Sequence, residues 1–220
     1  MAANRYRLVI GNKNWSSWSL RPWLAMRWAG LPFEEINVRL RQPDSKVEIL
    51  KHSPSGMVPT LIDGDLAIWD SLAILEYLAD RHPEAELWPR EATARAIARS
   101  AAAEIHSGFA PLRQHCTMEI LSRTPQAGLP PEVAANVGRI VALWRQCRGK
   151  FGNGGPFLFG RFSNADAMYA PVAARFRTYI PELSAYGDDG TAKAYVATIF
   201  AMPEMEAWEA GARAETAAAG

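Results

Sequence analysis

The sequence lacks the features that a secreted, membrane-spanning or nucleic-acid-binding protein needs. Its two cysteines, Cys116 and Cys147, fit neither a disulfide framework nor a metal-ligand motif. Neither sign of charge is in excess, because 24 Lys and Arg oppose 23 Asp and Glu, so no basic surface for nucleic acid is expected. The first apolar stretch, residues 8–10, is too short for a signal peptide, and no later run approaches the roughly 18 residues of a membrane span. We therefore predict a cytoplasmic protein without metal, nucleic-acid or membrane partners.

What the sequence does have is an ordinary globular composition, divided into two unlike parts. Hydrophobic residues make up 49% of the chain and charged residues 21%, which favours packed cores over disorder. Strand and helix patterns alternate as far as His82, and only helical patterns follow Pro83. We predict a mixed α/β domain at residues 1–82, a linker at 83–91 and an all-helical domain at 92–220.

The first part divides into short elements at its glycines and prolines. The predicted elements are a strand at 5–10, a helix at 20–29, a strand at 33–40, a weak helix up to 51, strands at 58–62 and 66–69, and a helix at 71–81. Pro22 is expected in the first turn of its helix, where a missing N–H costs nothing. Asp63-Gly64-Asp65 predicts a hairpin turn. The order β-α-β-α-β-β-α predicts a parallel pair followed by an antiparallel one.

The second part reads as a series of helices. The alanine-rich stretch 93–121 predicts one long helix, and 132–148 predicts another. Ser163 and Asp166 have the spacing of a capping box and predict the start of a core helix that continues through 167–179. We assign this box a structural role only.

Three local features could belong to a functional site, although each alone favours a structural interpretation. Ser16 and Ser17 precede a helix, where serines usually cap free N–H groups, yet hydroxyls there could also hold a thiolate. Asp70-Ser71 could be another cap, or an acid and hydroxyl pair for an ammonium and a carboxylate. Pro59 opens a strand, and X–Pro bonds are usually trans.

Together and in this order, the features resemble those of the cytosolic glutathione S-transferases. The resemblance rests on three motifs, Ser16-Ser17-Trp18-Ser19-Leu20-Arg21, Val58-Pro59-Thr60-Leu61 and Asp70-Ser71-Leu72-Ala73-Ile74, and on the late capping box. It spans essentially the whole chain and is loosest at 91–156. The first motif is similar to the Ser-Ser-Cys-Ser-x-Arg of the zeta class, with Trp18 in place of the cysteine. The resemblance implies a thioredoxin-like N-terminal domain followed by an all-α C-terminal domain.

The resemblance also implies a site for glutathione as co-substrate. It assigns the thiol to Ser16, or to Ser17 in a theta-like register. It implies a cis Pro59, with the backbone of Val58 pairing with the cysteinyl part of the tripeptide. The γ-glutamyl end is assigned to Ser71 and Asp70.

Two positions of this implied site depart from the family pattern. Asp70 stands where Glu or Gln is usual, so a shorter carboxylate has to reach the same ligand. Met57 stands where Gln or Lys is usual, so Lys46 or His52 is expected to supply the missing polar contact. Trp15, Trp18, His106 and Phe109 are expected to line the pocket for the second substrate, with Phe109 in a segment that also resembles the zeta class.

The function implied is activation of the glutathione thiolate for attack on a small hydrophobic electrophile, by a detoxifying homodimer. Isomerisation of the maleylacetoacetate type and glutathione peroxidase activity stay open as alternatives, and the missing zeta cysteine weakens the first. Omega-type thiol transfer is excluded because residues 1–82 contain no cysteine. A non-catalytic binding module of the same fold is the alternative from another class.

Overall fold

The computed structural model describes residues 6–218. The strands are β1 Tyr6–Gly11, β2 Phe33–Val38, β3 Thr60–Asp63 and β4 Leu66–Trp69. The helices are α1 Ser17–Trp28, α2 Ser45–Leu50, α3 Ser71–Arg81, α4 Ala92–Ser107, α5 Ala110–His115, α6 Pro131–Phe151, α7 Asn164–Tyr179, α8 Thr191–Phe200 and α9 Pro203–Ala217. Within this described range, no helix has both the length and the apolar character needed to cross a membrane.

The four strands form one sheet in the order β2-β1-β3-β4. β1 and β2 are parallel, and β3 and β4 are antiparallel, as predicted. β3 is also antiparallel to β1, a pairing that the sequence did not predict. β1 lies inside the sheet with both faces covered, because Leu8 and Ile10 join the main core with α1 and α3. Val9, on the opposite face, packs with Val38 and Ile49 near α2. Burial on both faces explains why β1 has a continuous apolar run.

Helix α7 is the centre of the helical half. Every one of its residues except Arg177 is buried, and it packs against α1, α4 and α8. Its first turn is tied to the α/β half, since the Asn164 N–H donates to the Leu87 carbonyl at 2.7 Å and its side chain donates to the Leu75 carbonyl at 3.1 Å. One continuous apolar core therefore joins the sheet side of α1 to the helical half.

The capping box at the start of α7 is present as predicted. Asp166 is fully buried, and its carboxylate accepts hydrogen bonds from the Leu158 N–H, from the Ser163 N–H and hydroxyl, and from the Tyr195 hydroxyl, at 2.8–3.0 Å. The residue thus joins three segments, namely the α6–α7 connection, α7 itself and α8. Its role is structural, as the sequence indicated.

Two helix predictions were wrong. The predicted helix at 93–121 is interrupted between α4 and α5, where Phe109 has φ +56°, a left-handed conformation that a right-handed helix cannot contain. A Cβ on Gly108 would lie 2.7 Å from the Glu104 carbonyl oxygen, so this close approach requires glycine. Helix α1 begins at Ser17 rather than at residue 20. Pro22 therefore lies inside α1, where it cannot donate the helical hydrogen bond to the Trp18 carbonyl.

Replacing Asp166 by alanine should lower the free energy of unfolding by about 3 kcal/mol or more, because four donors lose a buried acceptor. Glu91→Ala is the matched control, since Glu91 caps α4 through the N–H groups of Thr93 and Ala94 at an exposed helix end. That change should cost about 1 kcal/mol. Equilibrium denaturant unfolding at one protein concentration measures both changes, and equal losses would contradict the special role of Asp166.

Candidate functional site

A cleft of about 620 Å³ lies between the start of α1, the segment before β3 and the start of α3. It is lined by Trp18, Leu40, Ile49, Ser55, Gly56, Met57, Val58, Pro59, Trp69, Asp70 and Ser71. Six of these are residues that the sequence singled out for the glutathione or second-substrate site. The structure therefore brings together three motifs that are far apart in the sequence.

The segment before β3 forms one wall of the cleft. The Val58–Pro59 bond is cis, as the resemblance implied, and the Thr60 hydroxyl donates to the Met57 carbonyl at 3.3 Å. Within residues 6–218, neither the N–H nor the carbonyl of Val58 has a hydrogen-bond partner. An extended ligand could therefore pair with this backbone as an additional strand does.

The start of α3 forms a second wall. Asp70 has φ +74° and is indeed the N-cap, because its Oδ1 accepts hydrogen bonds from the N–H groups of Leu72 at 2.8 Å and Ala73 at 3.5 Å. Ser71 is fully buried, and its oxygen accepts a hydrogen bond from Arg21 at 3.2 Å. The hydroxyl proton of Ser71 remains available to a ligand. The structural and functional interpretations of this pair are thus compatible.

The serines before α1 do not act as caps. Ser16 donates to the Ser19 hydroxyl at 2.7 Å, and Ser19 also accepts from the Gly11 N–H at 3.1 Å. Ser17 accepts a bond of 3.4 Å from the buried Arg175 of α7. In the described part of the chain no side chain caps α1, so N–H groups of its first turn stay free for an anion.

Trp18 stands where arginines from different elements converge. The guanidinium of Arg21 lies 4.1 Å from the centre of the Trp18 ring and that of Arg113 lies 5.5 Å from it. Burial lowers the pKa of Arg21 to about 9, and repulsion from Arg175 and Arg113 adds to this effect. Burial likewise lowers the pKa of Arg175 to about 10. Both side chains are still cationic at neutral pH, so the start of α1 lies in a positive field.

Sequence reasoning left these arginines without a role. Arg21 is the last residue of the first motif, whereas Arg113 and Arg175 belong to none of the motifs. A signal for Arg175 does exist, because it is a charged residue within the otherwise apolar stretch 167–176. Its guanidinium donates to the carbonyls of Cys116 and Pro171 at 2.8 and 2.9 Å, which makes its burial possible.

The remaining predicted residues lie at different distances from the cleft. Lys46 reaches its rim, since Nζ donates to the carbonyl of Gly56 at 3.1 Å. His52 lines a separate surface pocket beside Arg39 and Glu48. Trp15 is partly exposed beneath Arg41. Phe109 is buried at the α4–α5 break.

His106 is the predicted residue that reaches the cleft from the helical half. It contacts Trp18 edge-to-face, with ring centres 5.4 Å apart, and Asp70 at 3.4 Å. No group of three or more His, Cys, Asp or Glu side chains is placed to hold a metal ion in the part of the chain that the structure describes.

Two family models match the chain. Residues 15–81 match the glutathione S-transferase N-terminal domain, and residues 90–211 match the C-terminal domain.

The chain belongs to the glutathione S-transferase family.

Its relatives among curated proteins include zeta-class members of this family. Glutathione S-transferase Z2 of Arabidopsis thaliana is 30% identical over 189 residues, covering 78% of this chain and 85% of the relative. A zeta-class glutathione S-transferase of Euphorbia esula is 31% identical over 167 residues, covering 76% and 72%. A probable maleylacetoacetate isomerase of Caenorhabditis elegans is 29% identical over 159 residues, covering 70% and 73%.

Solved structures of glutathione transferases share the fold. A homologue from Burkholderia, with bound glutathione, superimposes with a TM-score of 0.70 at 21% identity and covers 94% of this chain and 97% of its own. A homologue from Sulfitobacter, also with bound glutathione, has a TM-score of 0.65 at 21% identity and covers 94% and 98%. The family assignment and these folds confirm the thioredoxin-like first half, the helical second half, the zeta-like resemblance and an enzyme of the glutathione S-transferase type.

Proposed function

We propose that this glutathione S-transferase binds glutathione in the cleft, with Ser16 as the partner of the thiol. The observation that carries the proposal is the convergence of an unpaired Val58 backbone and an Asp70-Ser71 pair on one cleft beside the free N-terminus of α1. These features complement, respectively, the peptide groups, the amino-acid end and the thiolate of one tripeptide. Residues 1–82 form the glutathione-binding domain in this proposal, and 92–220 the helical domain after the linker at 83–91.

The γ-glutamyl end would lie against the start of α3. Its carboxylate would accept a hydrogen bond from the Ser71 hydroxyl, with Arg21 behind that oxygen. Its ammonium would contact the Asp70 carboxylate, which is half exposed. The ammonium would thus lie against a carboxylate and the ligand's carboxylate against hydrogen-bond donors. The positive end of the α3 dipole would further stabilise the ligand's carboxylate.

The thiol would be activated by preferential binding of its anion. A free thiol has a pKa near 8.5, and lowering it by about two units requires about 2.7 kcal/mol. The Ser16 hydroxyl, the free N–H groups of α1 and the buried Arg21 and Arg175 together favour the thiolate. Ser16 would exchange its bond to Ser19 for one to sulfur. Ser17 is the alternative partner, although its oxygen is held toward α7 by Arg175.

The glycyl carboxylate would be met by Lys46. Its ammonium already lies at the rim of the cleft, bonded to the carbonyl of Gly56, and Met57 beside it cannot supply a polar contact. His52 lies in a different pocket, next to Arg39 and Glu48. Lys46 is therefore preferred over His52.

The bound thiolate would attack an electrophile next to Trp18, forming a bond from sulfur to carbon. An electrophile that carries a carboxylate is favoured, because Arg113 is only half buried and lies against the Trp18 ring. This observation supports the second candidate, a maleylacetoacetate-type isomerase. There the thiolate adds to a conjugated double bond, the resulting single bond rotates, and the thiolate leaves again. Relatives that are named maleylacetoacetate isomerases support the same candidate.

We also propose that the protein is a homodimer in the cytoplasm. Large apolar side chains are exposed along the edge strand β4 and beside the cleft, namely Leu66, Trp69 and Met57, with exposed fractions of 51%, 49% and 69%. Such a patch is typical of an interaction surface, and a second copy of the chain is the partner that the family implies.

Ser16→Ala should raise the pKa of bound glutathione by about one unit, because the thiolate loses a hydrogen-bond donor worth about 1.4 kcal/mol. Titration of the ultraviolet absorbance of the thiolate against pH measures this. Ser17→Ala is the matched control and should change the pKa less. The reverse order of the two effects would transfer the role to Ser17.

Ser71→Ala should weaken glutathione binding about tenfold or more, because a charged carboxylate loses its donor, while kcat at saturation changes little. Calorimetric Kd values and steady-state kinetics separate the two effects. Ser100→Ala, on the exposed face of α4, serves as the control. A fall in kcat at unchanged Kd would instead place Ser71 in the chemical step.

Arg113→Met should reduce kcat/KM about tenfold for an electrophile bearing a carboxylate, by loss of one charged contact. A neutral aromatic electrophile should be affected about twofold or less. Arg145→Met on the surface of α6 controls for the loss of charge alone. Equal losses on both electrophiles would remove the argument for an anionic substrate.

A further inference from the structure

A contact between the two halves of the molecule involves the proposed amino-group site. His106 lies in the last turn of α4, in the helical half, and its Nε2 is 3.4 Å from Oδ2 of Asp70 at the start of α3. The ring is steadied by its edge-to-face contact with Trp18. Arg113 fixes the backbone nearby, since its guanidinium donates to the His106 carbonyl at 3.1 Å. His106 is therefore held beside Asp70 by Trp18 of α1 and Arg113 of α5.

The carboxylate of Asp70 is consequently hydrogen-bonded at one oxygen and contacted by His106 at the other. Oδ1 accepts from the N–H groups of Leu72 and Ala73, and Oδ2 faces His106. A carboxylate constrained in this way cannot turn its charge away from the cleft. This matters here because aspartate is one methylene shorter than the glutamate usual at this position, so its reach depends on orientation.

We propose that His106 is a positioning residue that holds Asp70 toward the amino group of the γ-glutamyl residue, and that protonation of His106 weakens glutathione binding. This inference rests on the proposed function, because it concerns the same cleft.

The charge state of His106 decides whether the Asp70 carboxylate pairs with the imidazolium or with the ammonium of the ligand. A neutral imidazole leaves the full negative charge of Asp70 for the ligand's ammonium. A protonated imidazole neutralises that carboxylate and repels the ammonium. Histidine side chains commonly change charge between about pH 5 and 8, which is the range that the experiment below covers.

Charged and polar groups from several elements surround His106. Nδ1 is buried and has no hydrogen-bond partner within residues 6–218, so a proton there would be an unpaired buried donor. Arg113 of α5 and Arg21 of α1 both lie against the ring of Trp18, which contacts His106, and both oppose a further positive charge there. Asp70, which caps α3, attracts a positive charge on His106. Glu104 on α4 is occupied by Arg139 of α6, and the hydroxyl of Tyr169 of α7 donates to the carbonyl of Ala101.

The test is a calorimetric measurement of Kd for S-methylglutathione between pH 5.5 and 8.0, on the full chain. This probe has no thiol to titrate. A second probe, the same molecule without its γ-glutamyl amino group, isolates the contact to Asp70. The first variant is His106→Gln, which keeps an N–H group near the position of Nε2 but takes up no proton. The second is His106→Ala, which has neither an N–H group there nor a titratable group. His115→Ala on the exposed side of α5 is the matched control.

We expect the wild-type Kd for S-methylglutathione to rise about tenfold from pH 8.0 to pH 5.5, which is the loss of one ion pair of about 1.4 kcal/mol. His106→Ala should raise Kd about tenfold at pH 8.0, because Asp70 loses its orientation. His106→Gln should bind within about twofold of wild type at pH 8.0, and its Kd should be flat with pH. The probe without the amino group should respond to none of these changes.

Three results would overturn the inference. One is a Gln variant that keeps the wild-type pH dependence, and this variant decides the matter even where the Ala variant does not fold. Another is an Ala variant that weakens both probes equally, since that is a general structural effect. A wild-type protein that binds neither probe would overturn the proposed function together with this inference, whereas the first two results leave the proposed function standing.

Discussion

The packing of α1 between the sheet and α7 is the constraint on which the rest of the molecule depends. Nine residues of α1 are buried, and the helix contacts both halves of the core. Since α1 also carries the serines and Arg21, the polar site is built into the apolar contact between the halves. Arg21 and Arg175 are tolerated there because hydroxyls and carbonyls accept their hydrogen bonds. The contact that stabilises the fold thus also produces the positive field of the site.

The loop that leads into α1 is positioned by remote parts of the chain. Trp208 of α9 donates to the Lys13 carbonyl, and Glu215 accepts from the Lys13 N–H. The side chain of Asn14 accepts from the N–H of Leu121, which follows α5. Segments late in the sequence therefore fix the position of Ser16 and the start of α1 at Ser17. An isolated α/β half would lose these restraints, together with His106, Arg113 and Arg175.

The parts of the fold that could be predicted are those that local patterns determine. Apolar runs broken by glycine and proline were enough to predict the element order β-α-β-α-β-β-α. The spacing of Ser163 and Asp166 was enough to predict the capping box. The break at Phe109 could not be predicted, because phenylalanine rarely takes a positive φ and tertiary packing imposes it. The partner of Ser17 was equally hidden, since Arg175 is 158 residues away. Lys46 and His52 could not be separated, because the weak helix predicted up to residue 51 does not show which of the two side chains reaches the cleft.

The positive charges around the start of α1 explain what Trp18 contributes in place of the zeta-class cysteine. A tryptophan ring accepts cations on its face, and here it lies against both Arg21 and Arg113. Repulsion among Arg21, Arg113 and Arg175 contributes to the lowered pKa of Arg21, so the protein without a ligand carries an unfavourable interaction. An anion bound at the start of α1 relieves that repulsion, and a neutral thiol in the same place does not. The chemistry requires that the site bind the thiolate more tightly than the thiol. The arginines that are buried where α1 packs supply this preference.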